Sequence, residues 1–159
     1  MRNGMAAVGI TLLLFGCSNS LPPVPPVSAA DTAGAISPRD AIVAAANAAP
    51  RAVPGTFTML VRATGRNGRR VYLNSELDYR DQRNLTVNIE PGAAEALARR
   101  FGAPADQFFL GKIIHVRGAA RRTRIDFLSD GRATGLYYYQ THVAVGDPDQ
   151  IVVVDQRAR

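Results

Sequence analysis

The 159-residue chain has no tryptophan, a single cysteine (Cys17) and a single lysine (Lys112). One cysteine excludes an intrachain disulfide, so the fold must rest on its hydrophobic core. Aromatic residues make up only 7% of the chain, which leaves few platforms for stacking planar ligands. Acidic residues are in deficit as well: 19 Lys and Arg stand against 13 Asp and Glu, a formal charge of +6. With one lysine, that charge is almost wholly arginine, whose planar donor fork suits phosphate and carboxylate. A coding bias toward Arg and Ala explains the same composition, and net charge alone speaks only to solubility and nonspecific association. The apolar run Met5–Phe15 is far shorter than the roughly 20 residues that cross a hydrocarbon core.

Met1-Arg2-Asn3-Gly4, the apolar run and Gly16 supply, in order, the charged region, apolar region and small cleavage residue of a secretory signal. Leu14-Phe15-Gly16-Cys17 resembles the lipobox of bacterial lipoproteins. The resemblance implies removal of residues 1–16, with Cys17 diacylated and left as the new N-terminus. Ser18 beside it resembles the outer-membrane retention signal of double-membraned bacteria, which implies a lipid anchor on the periplasmic face of the outer membrane. An uncleaved anchor and an ordinary signal peptide with an incidental cysteine are the competing readings. Residues 17–36 read as a tether, because Leu21-Pro22-Pro23-Val24-Pro25-Pro26-Val27 favours polyproline II at about 3.1 Å per residue.

Residues 37–55 read as a short helix and connector. Ser37 can cap, Pro38 suits the first turn and Asp40 completes an S-x-x-D box. Whether this helix packs on the domain or frays is left open by its small side chains. From Thr56 the pattern turns to period two, with Phe57, Met59, Val61 and Ala63 on one side. Asn67-Gly68 predicts a hairpin turn, Arg70 to Asn74 a returning strand, and Leu85–Ile89 a third. Pro91 opens a helix with Ala94, Leu97, Ala98 and Phe101 on one face, ended by Gly102 and Pro104. Strand character resumes from Ile113 to about Phe127, bent near Gly118, then from Gly135 to Val145 and from Ile151 to Val154.

Three strands, a helix and further strands is the order of the OB-fold, a small Greek-key barrel. The expected fold is therefore all-β with one helix, an OB-fold-like barrel over residues 56–155 behind a lipidated tether. The segments Val71–Tyr79, Asn84–Val87, Gly111–Gly118 and Asp147–Ile151 resemble a bacterial OB-fold group similar to nucleic-acid-binding OB domains. Arg121–Tyr139 departs from that group's pattern. The resemblance implies an OB fold and a nucleic-acid partner.

OB barrels bind across their second and third strands, between the loops joining strands one–two and four–five. The first loop here holds Arg66, Arg69 and Arg70, and the second holds Arg121, Arg122, Arg124 and Arg132. Both clusters are expected at the rim of one groove, with Arg62, Tyr72, Asn74, Thr86 and Asn88 as its floor. Arg62 and Tyr72 complete the candidate ligand set, and Tyr72 is its one stacking platform. In Tyr137–His142, alternation places Tyr137 and Tyr139 inward and Tyr138, Gln140 and His142 outward, with His115 outward on the neighbouring strand. Two histidines without cysteine or a convergent carboxylate make no metal site. No cofactor is expected. Neither a triad spacing nor HExxH nor a phosphate-cradling glycine loop is present, and Glu76, Asp78 and Asp81 suit turns. The chain reads as a non-enzymatic module for an anionic ligand, either nucleic acid or an envelope polymer such as lipopolysaccharide. The alternative is an envelope accessory that docks a protein partner through the barrel face.

Overall fold

The computed structural model describes residues 34–154. The signal segment, Cys17 and nearly all of the tether lie outside the described residues. One sheet contains β1 (Val53–Leu60), β2 (Ala63–Asn67), β3 (Arg70–Asn74), β4 (Leu85–Ile89), β5 (Ile113–Ser129), β6 (Arg132–Val145) and β7 (Ile151–Val153). Its order is β1-β5-β6-β4-β3-β2, with β7 on β5. The β4–β6 pair is parallel and the others are antiparallel.

The two ends of that path, β1 and β2, are consecutive in the chain and separated only by Val61 and Arg62. The Val61 N–H donates to Lys112 O at 2.9 Å and its carbonyl accepts from Gly111 N at 2.8 Å, on the β5 side. The Arg62 N–H donates to Asn74 O at 2.9 Å, on the β3 side. One long strand thus exchanges partners at this step. The sheet curls round its core, although it is not hydrogen-bonded closed between β1 and β2. The domain is a small, OB-fold-like all-β unit with few helices.

The core follows the period-two pattern. Phe57, Val61, Leu73, Leu85, Val87, Ile89, Val116, Val143 and Val145 are all fully buried. At Gly118 in β5 the chain packs closely on β6: a Cβ there would lie 2.8 Å from Val143 Cγ1, an approach that glycine allows. The first turn shifts by one residue from the expected Asn67-Gly68. Asn67 pairs with Arg70, and the turn is Gly68-Arg69 with Gly68 at φ 58°.

The first helix, α1 (Pro38–Ala48), is capped as its sequence suggests, with Ser37 Oγ accepting from Asp40 N at 3.2 Å. Ala41 and Ala45 are fully buried in the common core. Ile36 bridges to Phe57, and β1 begins at Val53 rather than Thr56, so 36–55 is tied to the barrel. Helix α2 (Pro91–Phe101) ends at Gly102, whose φ of 69° directs its N–H to Ala98 O. A short α3 (Ala105–Phe109) follows, which the sequence pattern did not reveal. Phe101 is half-buried and stacks on Phe108 at 3.9 Å between centroids, while Phe109 meets both edge-on. Leu97 and Phe109, rather than Leu97 and Phe101, are the fully buried side chains at this end.

Candidate functional site

The first arginine cluster is neutralised by the helical segment. Arg66 reaches Asp106 with two bonds, Nε to Oδ2 at 2.9 Å and Nη2 to Oδ1 at 2.5 Å. That fork holds the Asp106 carboxyl below its ordinary range, against the opposing effect of partial burial. Arg69 pairs with Glu95, and Arg70 lies 3.6 Å from Glu90. Arg62 pairs with Glu76 at 2.7 Å. Four candidate ligand arginines therefore face four carboxylates. Their geometry is that of clamps between the β2–β3 hairpin, or its neighbouring loop, and the adjoining segments.

The expected groove floor is half roofed. Asn74 and Thr86 are buried, because residues 75–84 fold back over them. Asn84 pins that loop: its Nδ2 donates to Asn74 Oδ1 (3.0 Å), Thr86 Oγ1 (2.9 Å) and Tyr79 O (3.3 Å). Its Oδ1 accepts from Glu76 N at 3.1 Å. The acidic cluster does turn work, with Asp78 accepting from Arg80 N and Asp81 from Arg83 N. The Arg83 guanidinium holds Asp81 at about 2. From the far side, Gln140 Nε2 donates to Tyr79 O at 2.8 Å, and Gln140 Oε1 lies 2.7 Å from His142 Nε2. Burial lowers the His142 pKa. The open remainder of the face is the row Gly65, Tyr72, Asn88 and Ala144. Its one aromatic, Tyr72, is half-exposed.

The second cluster lies elsewhere. Barrel pairing uses β5 only to Ala120 and β6 only from Thr141, so residues 121–140 project as a two-stranded ribbon of about 30 Å. Tyr137 and Tyr139 share the core face by parity, as expected, but nothing of the barrel lies beneath them. They are exposed. Arg122 sits over the Tyr139 ring at 3.7 Å and Arg124 over Tyr137 at 4.1 Å, and the two rings meet edge to face at 5.6 Å. Stacking occupies the guanidinium face and leaves the N–H edge of Arg122 for a ligand. Arg124 also contacts Asp126 at 2.7 Å, whereas Arg122 and Arg132 have no carboxylate partner among the described residues. Arg121 instead donates to Pro50 O at 3.1 Å. On the opposite face Tyr138 is half-buried against Phe127 at 5.3 Å, and Gln140 is buried rather than outward.

The two clusters do not share a rim. Arg70 lies at the Ile89–Val145 end of the sheet, and Arg132 is about 40 Å along β6 from Val145. Even Arg121, opposite His142, is about 10 Å along and about 14 Å across from that end. Nor do the histidines meet. His115 is buried rather than outward, paired with Thr58 and Val152, and stands about 20 Å along β5 from the row of His142. Among the described residues no group of three His, Cys, Asp or Glu could hold a metal, and no helix is long and apolar enough to cross a membrane.

Sequence reasoning named Arg121, Arg122, Arg124 and Arg132 but missed Tyr137 and Tyr139 as surface residues. The signal was length: two facing segments of strand character extend well past what a barrel wall uses. No protein-family model matches the chain, and no curated protein matches it. Among solved structures, an aspartyl-tRNA synthetase from Entamoeba histolytica is 17% identical over 70% of this chain and 20% of its own, with a TM-score of 0.38. A Leishmania major Friedlin protein assigned as an aspartyl-tRNA synthetase is 12% identical over 86% of this chain and 24% of its own, with a TM-score of 0.44. The chain thus spans a quarter or less of the length of these structures.

Proposed function

We propose that this protein is a lipid-anchored, non-catalytic binding domain. Its ligand is an anionic polymer, and single-stranded nucleic acid fits best. The observation that carries this reading is the exposed ribbon face on which Arg122 and Arg124 interleave with Tyr139 and Tyr137. Guanidinium edges suit phosphates, and tyrosine rings suit bases, at about 1–3 kcal/mol per stacked base. Two tyrosines and two arginines without a carboxylate partner among the described residues, Arg122 and Arg132, give weak, salt-sensitive binding. The anchor rests on the Leu14–Cys17 pattern; Cys17→Ala is then expected to release the protein from membranes, and retention after high-salt washing would oppose it.

Fluorescence anisotropy with a labelled oligothymidylate tests the ligand. The Tyr137→Ala, Tyr139→Ala double variant should lose at least about 1 kcal/mol of binding, roughly fivefold in affinity. Unchanged affinity, with inorganic polyphosphate competing as well as the oligonucleotide, would oppose the nucleic-acid reading and favour a base-free envelope polymer. A second reading draws on the exposed Phe127, Leu128 and Leu136 near the ribbon tip. These side chains suit docking to an envelope protein, and failure of all polyanions to bind would favour it.

A further inference from the structure

Beyond the barrel, β5 has an open edge. The edge that β1 covers is paired from Ile113 to Ala120. From Arg121 to Ser129 it makes no backbone hydrogen bond to any segment other than β6 among the described residues. This stretch contains no proline or lysine, two of the usual means by which an edge discourages pairing. It does carry Arg121, Arg122, Arg124 and Asp126, and its ladder with β6 shifts register between Asp126 and Leu128. The opposite edge of the ribbon, along β6, is less free because residues 78–80 lie against it through Gln140 and Tyr79.

We infer that the open β5 edge pairs, antiparallel, with the same edge of a second copy of this chain about a two-fold axis through Ile125. The charge pattern is what selects the copy and the register. Arg124 and Asp126 lie side by side on one face, Nη2 to Oδ1 2.7 Å. An axis at Ile125 sets each Arg124 opposite the copy's Asp126, so the four groups form a square of alternating sign. Arg122 then meets the copy's Leu128. Moving the axis one residue earlier also opposes Arg122 to the copy's Asp126 but sets Arg124 against itself, and one residue later sets Asp126 against itself. Like charges directly opposite across a strand pair are destabilising, and opposite ones stabilising. The pairing joins two ribbons into a four-stranded sheet and brings both copies' arginine–tyrosine faces onto one side of it. It requires no ligand.

The test uses the full chain in mild detergent, in a Cys17→Ser background that removes the native thiol. Sedimentation velocity across a concentration series should show a monomer–dimer equilibrium. Arg124→Asp should weaken it on the order of tenfold, by turning two attractive pairs into repulsive ones. Adding Asp126→Arg should restore it. An Ile125→Cys variant should form a disulfide dimer on mild oxidation, since directly opposed Cα atoms lie about 4.5–5.5 Å apart in an antiparallel pair. Leu110→Cys, exposed on the barrel, should not. A monomer at every concentration, a dimer indifferent to Arg124→Asp, or equal cross-linking at both cysteines would overturn the inference. None of these outcomes depends on nucleic-acid binding.

Discussion

The hairpin at 66–70 and the ribbon at 121–132 carry the same side chain to opposite ends. On the first, Arg66, Arg69 and Arg70 meet Asp106, Glu95 and Glu90, and their charge is spent joining the hairpin to α2 and α3. On the second, Arg122 and Arg132 meet no carboxylate among the described residues, and Arg122 lies on a tyrosine ring. Charge count does not separate these clusters. What separates them is whether the topology brings an acidic segment alongside. The chain after β4 supplies Glu90, Glu95 and Asp106 to one end of the barrel, while the ribbon leaves the barrel altogether.

If the barrel is the rigid part and the ribbon an appendage, substitutions should divide sharply between them. Phe109→Ala, in the packed base, should cost about 3–5 kcal/mol in chemical denaturation. Leu128→Ala on the ribbon should stay within about 0.5 kcal/mol. A comparable loss at Leu128 would show that the ribbon is part of the cooperative core.

A smaller effect probes the roof over the expected groove. Asn84→Ala removes the side chain that joins Asn74, Thr86, Glu76 and Tyr79 and should cost about 1–3 kcal/mol. Oligonucleotide affinity should not change. A gain in affinity would mean that the covered face is the ligand surface after all.

Smaller again is the clamp. Arg66→Gln should cost little, since the Arg66 side chain is half exposed and solvent screens its charge. Arg66 lowers the Asp106 pKa, so this contribution is complete above the unfolded value of about 4 and fades as pH falls through the folded one. Thermal melts from neutral to acid pH should show the variant's deficit vanish at the acid end. A deficit that persisted there would assign the loss to packing.

The smallest effect belongs to His142, whose pKa is lowered by burial. The folded state resists its protonation, so stability should decline as pH falls below about 6.5 and level off below the folded value. His142→Gln should flatten that decline in the same melts. An unchanged pH profile would remove His142 as a source of pH sensitivity.

Much of the barrel was legible because its signals are local. Alternation over Phe57–Val61 and Leu85–Ile89, the Pro91 start and the Gly102 stop each report backbone geometry directly. Helix α3 was not legible, since residues 105–109 are too few to establish a period. The fate of the tyrosines was hidden for a different reason: parity tells which side of a sheet Tyr137 and Tyr139 occupy, but not whether a core lies beneath that side. Asn74 and Thr86 failed in the reverse sense. They have the parity of outward residues, yet a loop anchored by Asn84, which no periodicity describes, lies on top. Pairing of Arg66 with Asp106 joins positions far apart in the chain, and no spacing rule links them.

The contrast between the two clusters is tested most directly by salt dependence. Binding of labelled oligothymidylate is measured across a salt series for the native chain, for Arg122→Gln with Arg132→Gln, and for Arg66→Gln with Arg69→Gln. The ribbon pair should weaken binding and flatten the slope of log affinity against log salt by about 0.7 for each phosphate no longer neutralised. The hairpin pair should leave both unchanged. Equal losses from the two pairs, or a loss from the hairpin pair alone, would contradict the placement of the ligand on the ribbon.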